Sequence, residues 1–256
     1  MRLKSNIANF ITLFNLLCGS IAIYFLFREE YMNSLYFILA AAFFDFSDGF
    51  IARALKIKSP MGKQLDSLAD VVSFGLAPGI VLFQMMANSF NHNHLILPEY
   101  TSFLAFLIPV FSAWRLAKFN IDDKQSFQFR GLPTPACGLF IFSLLPTFSG
   151  NMLSPLFPWH DEYYKIITHP AFLLSATLLL SFLLVSNIPL MAFKFKSFSW
   201  EKNKIKYVFL IISVLLFILF YFVAVPFILI LYIVISFFET VILSKSKKKH
   251  EFYSRN

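Results

Sequence analysis

The sequence predicts an all-α integral membrane protein, a helical bundle of up to eight spans, and three observations predict it. Of its 256 residues, 58% are hydrophobic and only 14% are charged, against roughly one quarter charged in soluble domains. Apolar runs long enough to span a bilayer as helices recur at 6–27, 32–55, 65–90, 100–121, 135–150, 171–193, 205–223 and 227–243. All of the 22 Lys and Arg residues except Arg28 and Lys165 fall on one side of these runs. The positive-inside rule makes that side, and both termini, cytoplasmic, in agreement with an even number of spans.

The first run is longer than a signal-peptide core and is followed by a poor cleavage site, so it reads as a retained helix. Charge interrupts the second, third and fourth runs, and the fifth is short enough to be tilted or half buried. The outer loop 151–170 is rich in Trp, Tyr and Pro, which suit the membrane interface. His160, Asp161, Glu162 and His169 within it lack metal-ligand spacing and read as a solvated loop. After a core at 1–193, a basic cytoplasmic loop (194–204) leads to a transmembrane hairpin (205–243) and a basic cytoplasmic tail (244–256). The net charge of +8 is spread over every cytoplasmic loop. That pattern fits anionic lipid, at about 1 kcal/mol per juxtamembrane Lys or Arg, rather than nucleic acid. Cys18 and Cys137 lie in spans without CxxC spacing, which indicates neither a disulfide framework nor a zinc site, and they read as small apolar side chains.

The informative stretch runs from Asp45 to Asp70 and holds four aspartates. Asp45, Asp48 and Ala52 are spaced i, i+3, i+7, and Gly62, Asp66 and Asp70 are spaced i, i+4, i+8, so each set shares a helical face. A short loop makes the two helices antiparallel neighbours, and both acidic stripes converge near the cytoplasmic surface. Intramembrane carboxylates are costly and face a cavity or partner. Clustered carboxylates without Cys or His favour Mg²⁺, Mn²⁺ or Ca²⁺ over zinc. Gly49, Ala52 and Gly62 leave room beside them for helix packing or a bulky ligand, and the fork of Arg53 suits a phosphate oxygen. The combination describes a pocket for a polyanionic phosphate compound.

Read together, Asp45-xx-Asp48-Gly49-xx-Ala52-Arg53, eight residues, then Gly62-xxx-Asp66-xxx-Asp70 resembles the signature of the CDP-alcohol phosphatidyltransferase family at every defined position. The resemblance implies a six-helix core facing the cytoplasm, extended here by about two C-terminal helices, in a homodimer. It implies a divalent-metal centre, with two Mg²⁺ or Mn²⁺ ions, on Asp45, Asp48, Asp66 and Asp70. It also makes Asp70 the general base and assigns Gly49, Ala52, Arg53 and Gly62 to the CDP site. Asn15, four residues before Gly19, resembles the family's NxxxG on the first helix, which implies a nucleotide contact; a buried Asn at that position also suits helix packing.

Further stretches, NFITLFNLLCGS, VVSFGLAPG, WRLAKFN and FRGLPTPACG, resemble the serine-using branch of that family over residues 7–186. The substrates so implied are CDP-diacylglycerol and L-serine, in a prokaryotic inner membrane. Serine needs a cation for its carboxylate, and Arg115, Lys118 and Arg130 supply three on the correct side, with Ser73, Asn120 and the Pro133–Pro135 turn as polar contacts. Two features depart from the pattern: Ala8 stands where a proline is expected before Asn9, and the last two spans exceed the six-helix core. The same cations suit glycerol 3-phosphate or inositol phosphate, so electrostatics alone leaves the acceptor open. A cation transporter is the distant alternative, but spans five to eight carry almost no ionisable residue besides Glu239. A catalytically silent scaffold has no need of four aspartates.

Overall fold

The computed structural model describes residues 2–55, 59–93, 99–121, 129–150, 157–191 and 200–253. The side chains of 2–7, 91–93, 99, 129–130, 189, 201–202 and 239–253 are excepted. Lys56, Lys58, Lys124, most of the basic loop 194–204 and the side chains of Arg130, Glu239 and the basic tail therefore lie outside the described residues.

Helix α1 (Arg2–Phe27) and helix α2 (Tyr31–Ala54) form an antiparallel pair, reversed by a tight turn in which Glu29 takes φ 57°. Arg53 occupies the last turn of α2, where a cation complements the helix dipole. Ser59 and Pro60 start α3 (Pro60–Asp70): the Ser59 hydroxyl accepts from the Gly62 amide at 3.1 Å, and proline suits the first helical position. The third apolar stretch therefore begins at Pro60, five residues before the expected 65. After Asp70 the helix widens into a π-helical turn, Val71–Leu76, and resumes as α4 (Ala77–Asn93).

A 3₁₀ segment (Glu99–Phe106) leads into α5 (Leu107–Ile121). Strand β1 (Phe129–Arg130) and Gly131, with φ +74°, precede α6 (Thr134–Phe142) and α7 (Leu145–Phe148). The short fifth run thus becomes two short helices. The outer loop, expected to be solvated, contains α8 (His160–Ile167), bent by 64° against α9 (Pro170–Val185). The latter ends eight residues earlier than the expected 193, and strand β2 (Pro189–Leu190) then pairs antiparallel with β1. The chain closes with α10 (Trp200–Phe220) and α11 (Ala224–Tyr253), so the expected tail at 244–253 continues a helix.

Five helical stretches are long and apolar enough to cross a membrane, and the bent α8–α9 pair makes six. The fifth of these stretches, Asn203–Phe238, spans 36 residues but reverses direction. The rings of Phe209 and Tyr232 meet with centroids 6.0 Å apart, whereas a straight helix would hold them roughly 35 Å apart. The reversal falls at Tyr221, with φ 49°. The chain is an all-α, multi-pass integral membrane protein.

Close backbone packing surrounds the π turn. In lipid the hydrophobic effect does little to join helices, and small residues that let backbones approach do more. A Cβ on Gly19 of α1 would lie 2.8 Å from the Ser73 Cα, and one on Gly138 of α6 would lie 3.0 Å from the Phe74 Cα. Gly75 similarly faces Ser112 of α5, with 3.1 Å between a Cβ there and the Ser112 Cβ. Phe74 itself is fully buried among the core side chains.

Candidate active site

Helices α2 and α3 bring the aspartates together as their spacing predicts. Carboxylate oxygens of Asp45, Asp48 and Asp66 all lie within 4.8 Å of one another, one from each residue. Asp70, one turn beyond Asp66, is buried and close enough to Asp45 and Asp66 to interact with both. Two like charges about 4 Å apart repel by roughly 4 kcal/mol at an effective dielectric of ~20. Among the described residues none of the four takes part in an ion pair, and Arg53 beside Asp48 and Arg115 beside Asp70 are the cations near enough to offset part of this charge. Hard oxygen donors at this spacing fit a divalent cation of the Mg²⁺ or Mn²⁺ type.

Helix α1 supports the cluster from behind. The Thr12 hydroxyl lies against both the Asp48 carboxylate and, at 3.1 Å, the Ala8 carbonyl. The Asn15 side-chain amide donates to Asp70 at 3.5 Å, and the Ser73 hydroxyl donates to the Asn15 carbonyl at 3.1 Å. Asn15 is fully buried and lines neither cavity described next, so its contact is with a carboxylate.

Two cavities meet at the cluster. One, of about 470 Å³, lies between α1, α2 and α3 and is lined by Asn9, Thr12, Asp48, Gly49, Ala52, Ser59, Gly62, Lys63 and Asp66, among others. The other, of about 390 Å³, opens towards α5 and α6 and is lined by Asp45, Asp48, Arg53, Asp66, Asp70, Arg115, Asn120, Pro133 and Pro135, among others. Asp48, Gly49, Lys63 and Asp66 belong to both. A Cβ on Gly49 would touch nothing closer than the Arg53 guanidinium at 3.6 Å, so glycine there keeps cavity space open.

Arg115 projects from α5 into the second cavity; its guanidinium donates to the Thr134 hydroxyl at 3.3 Å, while its buried Nε has no protein partner. Asn120 donates to the Ser67 hydroxyl at 2.8 Å, and its carbonyl accepts from Lys63 at 2.8 Å. Lys118 instead donates to Asn187 at 3.3 Å, in a narrow cleft that it shares with Arg115. Ser73 is buried outside both cavities. Sequence reasoning passed over Asn9, Thr12, Ser59 and Lys63. The first two carried a signal: Asn9, Thr12 and Asn15 recur every three residues within the apolar run 6–27.

Fold and site together define a class: a multi-pass helical membrane protein with a carboxylate cluster where two cavities join. The family model for CDP-alcohol phosphatidyltransferase matches residues 5–174, and the chain belongs to that metal-dependent family of transferases. A CDP-diacylglycerol–serine O-phosphatidyltransferase of Bacillus subtilis is 33% identical over 56% of this chain and 77% of the relative. A protein of that name from Helicobacter pylori is 28% identical over 73% of this chain and 72% of the relative. Another from Methanocaldococcus jannaschii is 31% identical over 59% of this chain and 65% of the relative.

Proposed function

We propose that this chain transfers the phosphatidyl group of CDP-diacylglycerol to the hydroxyl of L-serine, giving phosphatidylserine and CMP. The observation that carries the reading is the junction of two cavities at shared carboxylates, a donor pocket and an acceptor pocket with the reacting atoms between them. The names of the relatives favour serine as the acceptor.

The first cavity receives the cytidine diphosphate moiety: Gly49, Ala52 and Gly62 leave it room, and Asn9, Ser59 and Lys63 offer polar contacts. Arg53, which lines the second cavity beside the shared Gly49, takes a phosphate oxygen. Asp45, Asp48, Asp66 and Asp70 would hold two Mg²⁺ or Mn²⁺ ions. Such ions screen the pyrophosphate charge and stabilise the CMP leaving group. Asp70, oriented by Asn15, takes the proton of the serine hydroxyl. The serine oxygen then attacks the β-phosphorus in line, and the bond from that phosphorus to the oxygen bridging to CMP breaks. Arg115 holds the serine carboxylate; its partnerless Nε and the contact with Thr134 leave a fork aimed into the acceptor pocket. Lys118 and Arg130 add positive field on this side. The pocket faces the cytoplasm, as do both termini, in a prokaryotic inner membrane, and the enzyme works as a homodimer.

The test is CMP release by purified protein in detergent with CDP-diacylglycerol and Mn²⁺ or Mg²⁺. The acceptors are serine, glycerol 3-phosphate, inositol phosphate or none, with Asp70→Asn alongside. Serine-dependent release that Asp70→Asn abolishes is expected. Release only with another acceptor overturns the choice of serine, and no release with any acceptor overturns the catalytic reading.

A further inference from the structure

The family match ends at residue 174, yet a later helix grips the chain next to the acceptor pocket. Met191 directly follows β2. Its amide donates to the Ser236 hydroxyl at 3.1 Å, and its carbonyl accepts from the Tyr232 hydroxyl at 3.0 Å. Ser236 in turn donates to the Tyr232 carbonyl at 2.6 Å, and all three residues are buried. Both backbone hydrogen-bonding groups of one residue are thus held by two side chains a single turn apart on α11.

The restraint continues into the pocket. Strand β2 pairs with β1, with Leu190 opposite Phe129 and Pro189 opposite Arg130. The Gly131 amide donates to the Ile188 carbonyl at 3.0 Å, and the Leu132 amide to the Leu183 carbonyl at 2.9 Å. Gly131 sits so close to the end of α9 that a Cβ would lie 2.8 Å from the Ser186 carbonyl oxygen. The next residues are Pro133 and Pro135, which line the acceptor cavity, and Thr134, which receives the Arg115 hydrogen bond. Tyr232 also lies near enough to Arg115 to interact with it electrostatically.

We infer that the C-terminal hairpin is a clamp for the acceptor pocket: Tyr232 and Ser236 are positioning residues that fix the 131–135 turn, and through Thr134 the Arg115 fork, by holding Met191. The inference rests on the acceptor assignment proposed above. The donor pocket, built from α1, α2 and α3, has no share in this connection.

The experiment uses the full-length protein with Tyr232→Phe, Ser236→Ala and the pair combined, each of which deletes a hydroxyl and little volume. Leu229→Ala, a buried change on the same helix that leaves the Met191 hydrogen bonds intact, controls for general loosening. KM for serine and for CDP-diacylglycerol are measured separately, and hydrogen exchange is followed in peptides covering 129–135 and 188–191. The double variant should raise KM for serine roughly three- to tenfold, the scale of lost buried hydrogen bonds. KM for CDP-diacylglycerol should change less than about twofold, and exchange at Gly131 and Leu132 should accelerate; Leu229→Ala should show neither pattern. Equal changes in both KM values, or an unchanged KM for serine, overturn the clamp. If the wild-type protein shows no serine-dependent release, it is the functional reading that has failed. Exchange alone then decides the clamp, and unchanged exchange at 129–135 overturns it.

Discussion

Gly19→Ala is the sharpest probe of how the site is held. The new methyl group would lie 2.2 Å from the Ser73 hydroxyl oxygen and 2.8 Å from the Ser73 Cα. The hydroxyl can rotate away, but the Cα belongs to the π turn, and carbon atoms rest about 3.5 Å apart. One backbone must therefore retreat by roughly 0.7 Å. Ser73 stands three residues after Asp70 and donates to the carbonyl of Asn15, whose side chain touches Asp70, so the retreat displaces the proposed base. Overpacking of this kind costs about 1–3 kcal/mol, and misplacing a catalytic group by an ångström costs on the order of 100-fold in rate. The expected result is a lower melting temperature in detergent and CMP release slowed about 10- to 100-fold at saturating substrates. Adding Ser73→Gly should restore only part of the rate, because the backbone of residue 73 still crowds the new methyl group. A Gly19→Ala protein with wild-type melting and rate would refute this account of how α1 meets the π turn.

Other substitutions separate the two cavities and the cluster. Gly49→Ala meets no atom closer than 3.6 Å and replaces a glycine inside α2, so melting should not fall while KM for CDP-diacylglycerol rises, as steady-state kinetics with varied lipid would reveal. Thr12→Val removes the hydroxyl beside Asp48; an outer-shell loss of this kind should raise the Mn²⁺ concentration for half-maximal activity about 10- to 100-fold, read from a metal titration after chelation. Arg115→Lys keeps the charge but loses the fork that reaches Thr134, so KM for serine should rise at least about tenfold with KM for CDP-diacylglycerol nearly unchanged.

The aspartate cluster was legible because its information is local. A helix repeats every 3.6 residues, so spacing within 45–70 places four carboxylates on two facing stripes. The support of Asp48 by Thr12 spans 36 positions, and the polar stripe on α1 gives no sign of which helix it faces. The π turn leaves the apolar pattern of 71–76 unbroken and so has no signature of its own. Hydropathy marked the two C-terminal arms, and the left-handed Tyr221 between them performs a reversal for which glycine is the usual residue. Arg115 was found from its cost inside an apolar span, whereas Thr134 became meaningful only once α5 and α6 were adjacent.

The three glycines packed around the π turn also shape how this protein can vary. Phe50 and Leu68, both largely exposed to the surroundings of the bundle, stand near the aspartates in sequence but have room for other apolar side chains. Gly19 of α1 and Gly138 of α6 abut the π turn, and Gly75 within the turn abuts α5, with no volume for a methyl group at any of the three unless a neighbour moves. A library of random substitutions should therefore divide sharply within a few residues: broad acceptance on the outward faces, intolerance at Gly19 without a compensating change in the opposing helix, and acceptance at Gly75 and Gly138 limited to alanine where the neighbour gives by a few tenths of an ångström.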